Sequence, residues 1–547
     1  MSETPKTLLF VGAAVLAVLL AYFASPKAIQ PELFSDEGEP FFTSFTSPDQ
    51  AESLEVTEFN VESGTPKAFS VRLKDGRWVI PSHLDYPADA KDRMAKAAGL
   101  LIGLSKGSVR SDRAADHAAL GVLDPDTIET AGQLDGVGTK VTFKDKSGGV
   151  LASLILGKKD GEGDERFVRV PGKNRVYRVK LAGEVNAEFK DWIETDLLKM
   201  DAYMLSRLVL DNYSVESDGY RARLLPGERI ELAKEAGTWK LPGLSETEET
   251  NTTKISEVTR ELDEIKIVDV YGKPEGLNER LEAAEGRSLE ALMTHLVQRG
   301  YYYDPRNNRI VSNQGDLIAV NDKGVKYTLR FGDEIFGTSD VIRAGSGEEN
   351  KTDEGKESGQ AKKANRFLMV SVELDESVFT KPTEAALPAD IREKRKKARD
   401  DINALIAAVT TFKSRAEGKL PESLAALTEG ENPPLKEVMK DPWGKDYTLE
   451  AKEGDSFVIR SEGEPTAGPV ASDDFAKEDK IATLARDWEA YEKKLADGKS
   501  AVESLSKRFG PWYYIIDAES FKKLRVARAD LVQPKTLGPP PGDNEDR

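Results

Sequence analysis

The chain has 547 residues, 39% hydrophobic and 32% charged, which is enough for roughly two to four globular domains with large solvated surfaces. Its formal net charge of −18 argues against nucleic acid as a main partner, because phosphate binding needs concentrated positive charge. The absence of cysteine excludes disulfides, thiolate catalysis and cysteine-based metal sites. One basic run, 392–399, lacks interleaved aromatic residues and is interpreted as the solvated start of a helix.

The N-terminal region predicts a single membrane anchor. Residues 7–25 carry no charge, and as a helix they would be roughly 28 Å long, close to the hydrocarbon thickness of a bilayer. A cleaved signal peptide is the alternative, but a cut after Ala24 would put Tyr22 where a small residue is needed. The favoured topology keeps residues 1–6 in the cytoplasm of a bacterial cell and exports the bulk of the chain across the inner membrane, with 26–50 as a stalk.

The rest of the chain contains two halves that repeat one order of segments. Trp78 and Trp239 each stand two residues after a glycine, in a strand that precedes an amphipathic helix. Further along, Gly157 and Gly332 end long apolar strands in matching places. The pattern predicts an α+β fold with two mixed repeat domains. These domains are the first repeat at 51–203 and the second repeat at 204–385 plus 505–535.

These segments resemble the bacterial domain-of-unknown-function-4340 family over about residues 50–380 and 505–535. The resemblance rests on the Gly-x-Trp strand, the helix, the glycine-terminated strand and a closing strand that bears tyrosine. It implies a membrane-anchored protein associated with ABC-type transport systems and with the auxiliary proteins of gliding-motility-type exporters. It implies no catalytic residue.

Two insertions interrupt the second half. Residues 345–365 are almost wholly polar and predict a disordered surface loop. The longer insertion, 388–476, begins with a helix whose apolar residues recur at helical spacing. A charged segment at 477–504 then predicts a helical hairpin or one long helix, and the acidic, proline-rich end of the chain, 536–547, predicts a disordered tail.

The run Asp441-Pro442-Trp443-Gly444 marks the fold of the longer insertion. Aspartate at the first position of a turn, proline at the second and glycine at the fourth predict a type I turn, and a hairpin follows it. Helix, turn, hairpin and acidic end resemble the globular part of a type II secretion major pseudopilin over about residues 395–476. That family's hydrophobic N-terminal helix does not precede this stretch, which favours a docking or spacer module over a filament subunit.

The pseudopilin resemblance also implies a calcium site. In that family, a loop after the hairpin binds calcium through acidic side chains and backbone carbonyls, and Glu464, Asp473 and Asp474 stand at or near the acidic places. Here Glu464-Pro465 replaces the usual Asp-Gly. A solvated acidic loop without metal is the alternative.

No enzymatic motif stands out. The sequences Gly-x-Ser-x-Gly and His-Glu-x-x-His do not occur, and Gly498-Lys499-Ser500 matches only the end of a phosphate-binding loop. Acidic pairs such as Asp112/Asp116 and Asp124/Asp126 arise by composition among 96 acidic residues. The favoured interpretation is a non-enzymatic scaffold of an ABC-type transport or export system, with calcium as the one candidate cofactor. The alternatives are a calcium-dependent or ligand-binding surface module and an extracytoplasmic hydrolase.

Overall fold

The computed structural model describes residues 11–18, 36–60, 65–127, 136–185, 187–217, 222–274, 277, 289–337, 364–454 and 456–535. The predicted tails at 1–6 and 536–547 lie outside these residues, as do most of the predicted anchor and residues 345–363 of the predicted loop. The anchor residues that are described, 11–18, are helical. Among the residues with a described structure, no helix has the length and apolar character needed to span a bilayer.

The chain divides into two compact units, and both combine strands with helices, as the α+β prediction requires. The first unit contains Met1–Leu197, Lys266–Gly272 and Gly337–Gln360, and the second contains Leu198–Ile265, Lys273–Phe336 and Ala361–Arg547. The boundary therefore falls at 197–198, a few residues before the predicted one at 203–204. A short later stretch of the chain, 266–272, also belongs to the first unit, which the sequence did not predict.

A nine-stranded antiparallel sheet forms the first unit. Its elements are β1 (Ser53–Asn60), β2 (Thr65–Lys74), β3 (Arg77–Ile80), β4 (Tyr86–Pro87), α1 (Lys91–Leu101), β5 (Ser108–Ser111), α2 (His117–Leu120), β6 (Thr139–Lys144), β7 (Val150–Lys159), β8 (Glu165–Arg169) and β9 (Val176–Lys180). The strand order is β4-β3-β2-β1-β6-β7-β8-β9-β5, so the first strand in the chain lies inside the sheet. Leu54 and Val56 alternate along β1 and are fully buried, as the two-residue period of a strand requires.

Residues 36–50, which the sequence assigned to a stalk, pack on the first unit instead. Phe45 is only 1% exposed, and its ring lies 5.3 Å from that of Phe143. The hydroxyl of Tyr177 donates a hydrogen bond to Asp36 at 2.6 Å, and this bond lowers the pKa of that carboxyl. Burial of aromatic rings gives this segment a fixed place despite its polar, proline-containing composition.

The second unit contains a sheet of the same kind. From Leu205 onward the chain forms β10 (Leu205–Asp211), β11 (Ser214–Ser217), β12 (Ala222–Leu225), β13 (Arg229–Glu235), β14 (Thr238–Lys240), β15 (Glu248–Thr250), α3 (Thr252–Asp263), β16 (Asp269–Gly272), α4 (Leu289–Val297), β17 (Tyr301–Asp304), β18 (Arg309–Ser312), β19 (Asp316–Asn321), β20 (Val325–Phe336), β21 (Ala364–Leu374), α5 (Ala389–Arg415), β22 (Thr448–Ala451), β23 (Phe457–Glu464), β24 (Gly468–Ala471), α6 (Phe475–Phe509), β25 (Trp512–Asp517), α7 (Ala518–Leu524) and β26 (Val532–Pro534). Of these elements, β16 belongs to the first unit and the others belong to the second. Seven of its strands run in the order β14-β13-β10-β19-β20-β21-β25, each antiparallel to its neighbour.

The long insertion joins β21 to β25, two strands that pair directly in the sheet with Leu368 opposite Tyr514. It contains α5, the three-stranded sheet β22-β23-β24 and the beginning of α6. Its own core consists of Ala398, Ile402, Leu405, Ala408, Val409, Leu424, Leu427, Tyr447, Ile459 and Val470. The predicted hairpin corresponds to β22 and β23, whereas β24 was not expected. Strand β21 begins at Ala364, so the last two residues of the predicted 345–365 loop belong to a strand.

The charged segment 477–504 lies within one continuous helix, α6, which has 35 residues. Gly498, considered above as part of a phosphate-binding loop, lies inside this helix. A Cβ added there would lie 2.8 Å from Cδ1 of Leu374 and 2.9 Å from the carbonyl oxygen of Lys323. The glycine therefore allows α6 to pack closely on Leu374 of β21 and on the backbone at Lys323.

Replacing Gly498 with leucine is expected to destabilise the protein by about 2 kcal/mol, because the nearest backbone oxygen cannot move aside. The matched control is Ser500→Leu at an exposed position of the same helix, with an expected change within about 0.5 kcal/mol. Thermal unfolding of the full-length protein measures both variants. Equal melting temperatures would contradict the close approach.

Candidate functional site

The turn between β23 and β24 is the part of the insertion where the sequence predicts a ligand site. Gly463 has a φ of +66°, and a Cβ there would lie 2.3 Å from the carbonyl oxygen of Gly468, so only glycine fits. The carboxylate of Glu464 accepts hydrogen bonds from the backbone N–H groups of Thr466 at 2.8 Å and Ala467 at 3.1 Å. Together with a bond from the Thr466 hydroxyl, these contacts lower the pKa of Glu464. Its carboxylate is therefore engaged by its own turn.

A buried guanidinium lies behind this turn. Arg395 of α5 is 1% exposed and donates to three consecutive carbonyl oxygens: Ala467 at 3.2 Å, Gly468 at 2.7 Å and Pro469 at 3.1 Å. Its Nε also donates to Oε2 of Glu478 in α6 at 3.0 Å, and a second bond joins the same two side chains. Backbone carbonyls and a carboxylate are the oxygen ligands that calcium prefers. Here they surround a cationic side chain of the protein itself.

Sequence reasoning missed Arg395, because it lies within a basic run that was interpreted as a solvated helix start. The signal that could have found it is its register. Arg395 precedes Ala398, Ile402, Leu405 and Val409 at alternating spacings of three and four, so it continues the apolar stripe of α5 toward the N-terminus. An arginine in that register has to be buried, and a buried arginine needs acceptors for its N–H donors.

The three predicted calcium ligands, Glu464, Asp473 and Asp474, do not share a common partner. Asp473 accepts a hydrogen bond from Arg460 at 3.1 Å, and Asp474 stands directly before the first residue of α6. Glu464 is held by its own turn, as described above. Across the residues whose structure is described, no group of three or more histidine or acidic side chains is arranged to hold a metal ion. Calcium binding at these residues stays an untested hypothesis of the sequence resemblance, and the contacts of the turn argue against it.

The Asp441–Gly444 stretch forms a turn closed by its first residue. The N–H of Gly444 donates to the carbonyl oxygen of Asp441 at 2.8 Å, the bond expected of the predicted turn, and Gly444 has a φ of +84°. The buried carboxylate of Asp441 accepts from the N–H of Trp443 at 3.0 Å and from the hydroxyl of Ser461 on β23 at 2.6 Å. Pro442 occupies the second position of the turn. The aspartate thus ties the turn to the sheet of the insertion.

Gly157 and Gly332 each lie at an irregularity in the sheet of their own unit. A Cβ would lie 2.7 Å from a carbonyl oxygen at Gly157 and 2.2 Å from one at Gly332. The register with the next strand shifts at each glycine, between residues 156 and 159 in one sheet and between 331 and 334 in the other. Arg166 on β8 donates to the carbonyl oxygen of Gly157, and Arg366 on β21 donates to that of Gly332. The two sheets therefore share a bulge that is bridged by an arginine.

The two tryptophans of the sequence pattern each lie in an antiparallel hairpin of their own sheet. Trp78 on β3 pairs with Leu73 on β2, and Trp239 on β14 pairs with Lys234 on β13. Trp239 is buried and Trp78 is half-buried. Their place in the sheet indicates a packing role.

The acidic pairs considered for a hydrolase are engaged in ion pairs. These pairs are Asp112 with Arg175 at 2.7 Å, Asp116 with Arg113 at 3.1 Å, Asp124 with Lys140 at 3.4 Å and Asp126 with Lys140 at 2.8 Å. Each of these carboxylates is paired with a cation of the protein itself, whereas a catalytic acid or base has to contact its substrate. The four aspartates are thus better suited to stabilising the surface than to catalysis.

A serine, a histidine and an aspartate also meet in the first unit, which the sequence did not predict. The hydroxyl of Ser82 lies 2.8 Å from Nδ1 of His83, and Nε2 of His83 lies 3.4 Å from Oδ1 of the buried Asp269. The imidazole ring stacks on Phe189 at 3.9 Å with an interplanar angle of 2°. Serine and histidine are neighbours in the chain, and the stacked, buried ring fixes the loop that carries them. We therefore assign this group to the packing of the loop.

The comparisons with known proteins concern part of the chain. Residues 78–282 match the model of a family described as Domain of unknown function (DUF4340). This stretch begins at Trp78, contains Gly157 and Trp239, and supports the family resemblance over those residues. It ends well before the long insertion begins. Neither the curated proteins nor the solved structures contain a match.

Removing the buried guanidinium tests its role in the insertion. Arg395→Ala is expected to lower the free energy of unfolding by about 3 kcal/mol or more, because the buried carboxylate of Glu478 loses its cation. Arg392→Ala is the matched control, since Arg392 lies one turn away in an exposed pair with Glu489, and its loss should cost at most about 1 kcal/mol. Urea unfolding of the full-length protein gives both values. Similar costs for the two variants would contradict the assignment.

Addition of millimolar calcium is expected to leave the melting temperature unchanged, because the carbonyl oxygens of the turn already accept bonds from Arg395 and from Lys477. Differential scanning fluorimetry with calcium and with a chelator measures this. A calcium-dependent rise in melting temperature that disappears in the double variant Asp473→Ala/Asp474→Ala would contradict this expectation and establish the predicted site.

Proposed function

We propose that this chain is a membrane-anchored, extracytoplasmic accessory or scaffold protein of an ABC-type transport or export system. It acts through protein–protein contacts and is not an enzyme. The anchor is the uncharged segment 7–25, a single pass through the bacterial inner membrane with residues 1–6 in the cytoplasm. Residues 78–282 match the DUF4340 family model. The association with such systems is what the family resemblance of the sequence implies.

The observation that carries this proposal is the way α6 is fixed at both ends. A helix of 35 residues is about 52 Å long. Near its beginning, Glu478 binds the buried Arg395 of the insertion. Near its end, Gly498 packs against Leu374 of β21, and Phe509 is 1% exposed. One continuous helix therefore joins the inserted module to the sheet of the second unit, which suits a protein that presents a binding module at a fixed position.

We propose further that the two units are copies of one fold. Strands β3-β2-β1-β6-β7-β8-β9 and β14-β13-β10-β19-β20-β21-β25 follow the same order relative to the chain. The register agrees too, since Val168 lies opposite Tyr177 and Leu368 lies opposite Tyr514. The matched β-bulges support the same proposal. Two unrelated sheets would rarely have a bulge at the same place in the strand order, each bridged by an arginine of the next strand.

The inserted module is, in this proposal, a pseudopilin-like head that has been adapted for docking. Its support is the combination of one long helix, the turn closed by Asp441 and a small antiparallel sheet. It is attached between two strands that pair directly, and a surface connection of this kind accepts an added domain without disturbing the sheet. A net charge of −18 disfavours nucleic acid as a partner of the whole chain.

Cross-linking in native membranes, co-purification of the tagged full-length protein and mass spectrometry test the proposal. We expect enrichment of ABC permease and ATPase subunits over a mock purification. The matched control is a variant whose residues 380–508 are replaced by a short hairpin loop that preserves the pairing of β21 with β25. Recovery of secretion or pilus components with the complete chain, and their loss with this variant, would instead make the inserted head the functional element. Recovery of neither class would contradict the proposal.

A further inference from the structure

An open cavity of about 550 Å³ lies in the first unit, between α1 on one side and residues 182–185 and 191–192 on the other. Its apolar wall includes Ala97 and Leu100 of α1 together with Val185 and Trp192. Leu100 is half-buried, so part of this apolar surface is open to solvent. A concave apolar surface of this size accepts several side chains of another molecule.

The second unit suggests what fits this cavity. Helices α1 and α3 bury residues in the same pattern, namely Met94, Ala97, Ala98 and Leu101 in α1 and Ile255, Val258, Thr259 and Leu262 in α3. Under this alignment, Leu100 corresponds to Glu261. In the second unit, Glu261 forms an ion pair with Lys523 of α7 at 2.9 Å. In the second unit, α7 therefore lies beside α3. In the first unit, the cavity lies at the corresponding side of α1.

The two units differ in the segment that follows the last shared strand. After β25, the chain forms α7 and buries Ala518, Phe521 and Leu524. After β9, residues 181–185 are irregular, and Gly183 has a φ of +140°, which does not belong to a helix. A helix with its side chains is about 10 Å wide, whereas a single extended chain is about half as wide. The segment after β9 buries Val185 and Trp192 on the first unit, but it leaves the cavity beside α1 open, where α7 lies beside α3 in the second unit.

The charges at the cavity restrict the occupant further. Glu184 is paired with Lys159 at 3.1 Å, and Arg93 is paired with Asp89 at 3.3 Å. Lys96 is exposed and has no ion-pair partner in the part of the chain that the structure describes. Asp191, the other acidic residue of the lining, interacts electrostatically with Lys190. The charge left for an incoming molecule is therefore the positive charge of Lys96, on the exposed side of α1.

We propose that this cavity binds a short amphipathic helix of a partner protein, in the place that α7 fills in the second unit. The inference rests on the proposal above that the two units are copies of one fold. The apolar face of the partner helix contacts Leu100 and Ala97, and an acidic residue on its flank pairs with Lys96. The occupant is therefore an acidic amphipathic helix, opposite in charge to α7.

A peptide-binding measurement tests this docking site. The probe peptide keeps the apolar residues of α7 at their spacing, carries glutamate at the positions of Lys522 and Lys523, and is extended with alanine to roughly fourteen residues so that it forms a helix. A matched control peptide keeps the two lysines. Because the chain has no cysteine, a Gly99→Cys variant carries a single fluorophore at the cavity, where a Cβ meets no atom within 4 Å. The purified full-length protein is used throughout.

We expect saturable binding of the acidic peptide below about 1 mM and binding of the basic peptide about fivefold weaker. In a Lys96→Glu background the preference should reverse, and in a Leu100→Ser background the affinity should fall by about tenfold. Unchanged melting temperatures show that these variants are folded. Absence of saturation with the acidic peptide, or the same preference in the Lys96→Glu protein, would overturn the docking site. The peptide measurement contains no transporter subunit, so a negative result would contradict the docking site only. The scaffold proposal is tested separately by the cross-linking experiment.

Discussion

The long insertion depends on one buried ion pair. Moving the charges of Arg395 and Glu478 out of water costs several kcal/mol per ion, and only complete hydrogen bonding offsets that cost. Here the guanidinium bonds to the carboxylate and to three successive carbonyl oxygens, so both charges are satisfied. Since these acceptors lie on α6, on the β23–β24 turn and on β24, the pair determines where the helices of the insertion meet its sheet. It also uses the oxygen atoms that a bound cation would need.

The same helix that carries Glu478 continues to Gly498, where the constraint is steric and not electrostatic. A side chain at Gly498 would meet a carbonyl oxygen that belongs to the second unit. A polar contact near one end of α6 and a close backbone approach near the other are both sensitive to small displacements. The helix between these two contacts keeps them at a fixed separation, because its backbone hydrogen bonds are internal and no loop interrupts it. The inserted module is therefore part of the second unit's architecture and not a loosely tethered addition.

Sequence patterns predicted the local features of this chain better than its long-range contacts. The turn at Asp441 and the apolar stripe of α5 follow from spacing alone, because turn chemistry and helical period are local properties. The burial of Arg395 could not be predicted from its basic neighbours, since its acceptors lie more than seventy residues away in the chain. Residues 36–50 were assigned to a stalk because this region is rich in proline, phenylalanine, serine and glutamate, yet Phe41 and Phe45 pack on rings of the first unit. The contact of His83 with Asp269 likewise joins distant parts of the chain, which no periodicity encodes.

The differences between the two units are more informative about function than their similarities. The shared strand order and the arginine-bridged bulges at Gly157 and Gly332 belong to the sheets themselves and do not distinguish one unit from the other. The units differ in what is added: a packed N-terminal segment in the first, and α7 and the long insertion in the second. Each difference changes the surface without altering the strand order. On the proposal that the units are copies, the sheet is a common support and its attachments are what changed, which suits the proposed scaffold role, since function lies in what is added to a fold.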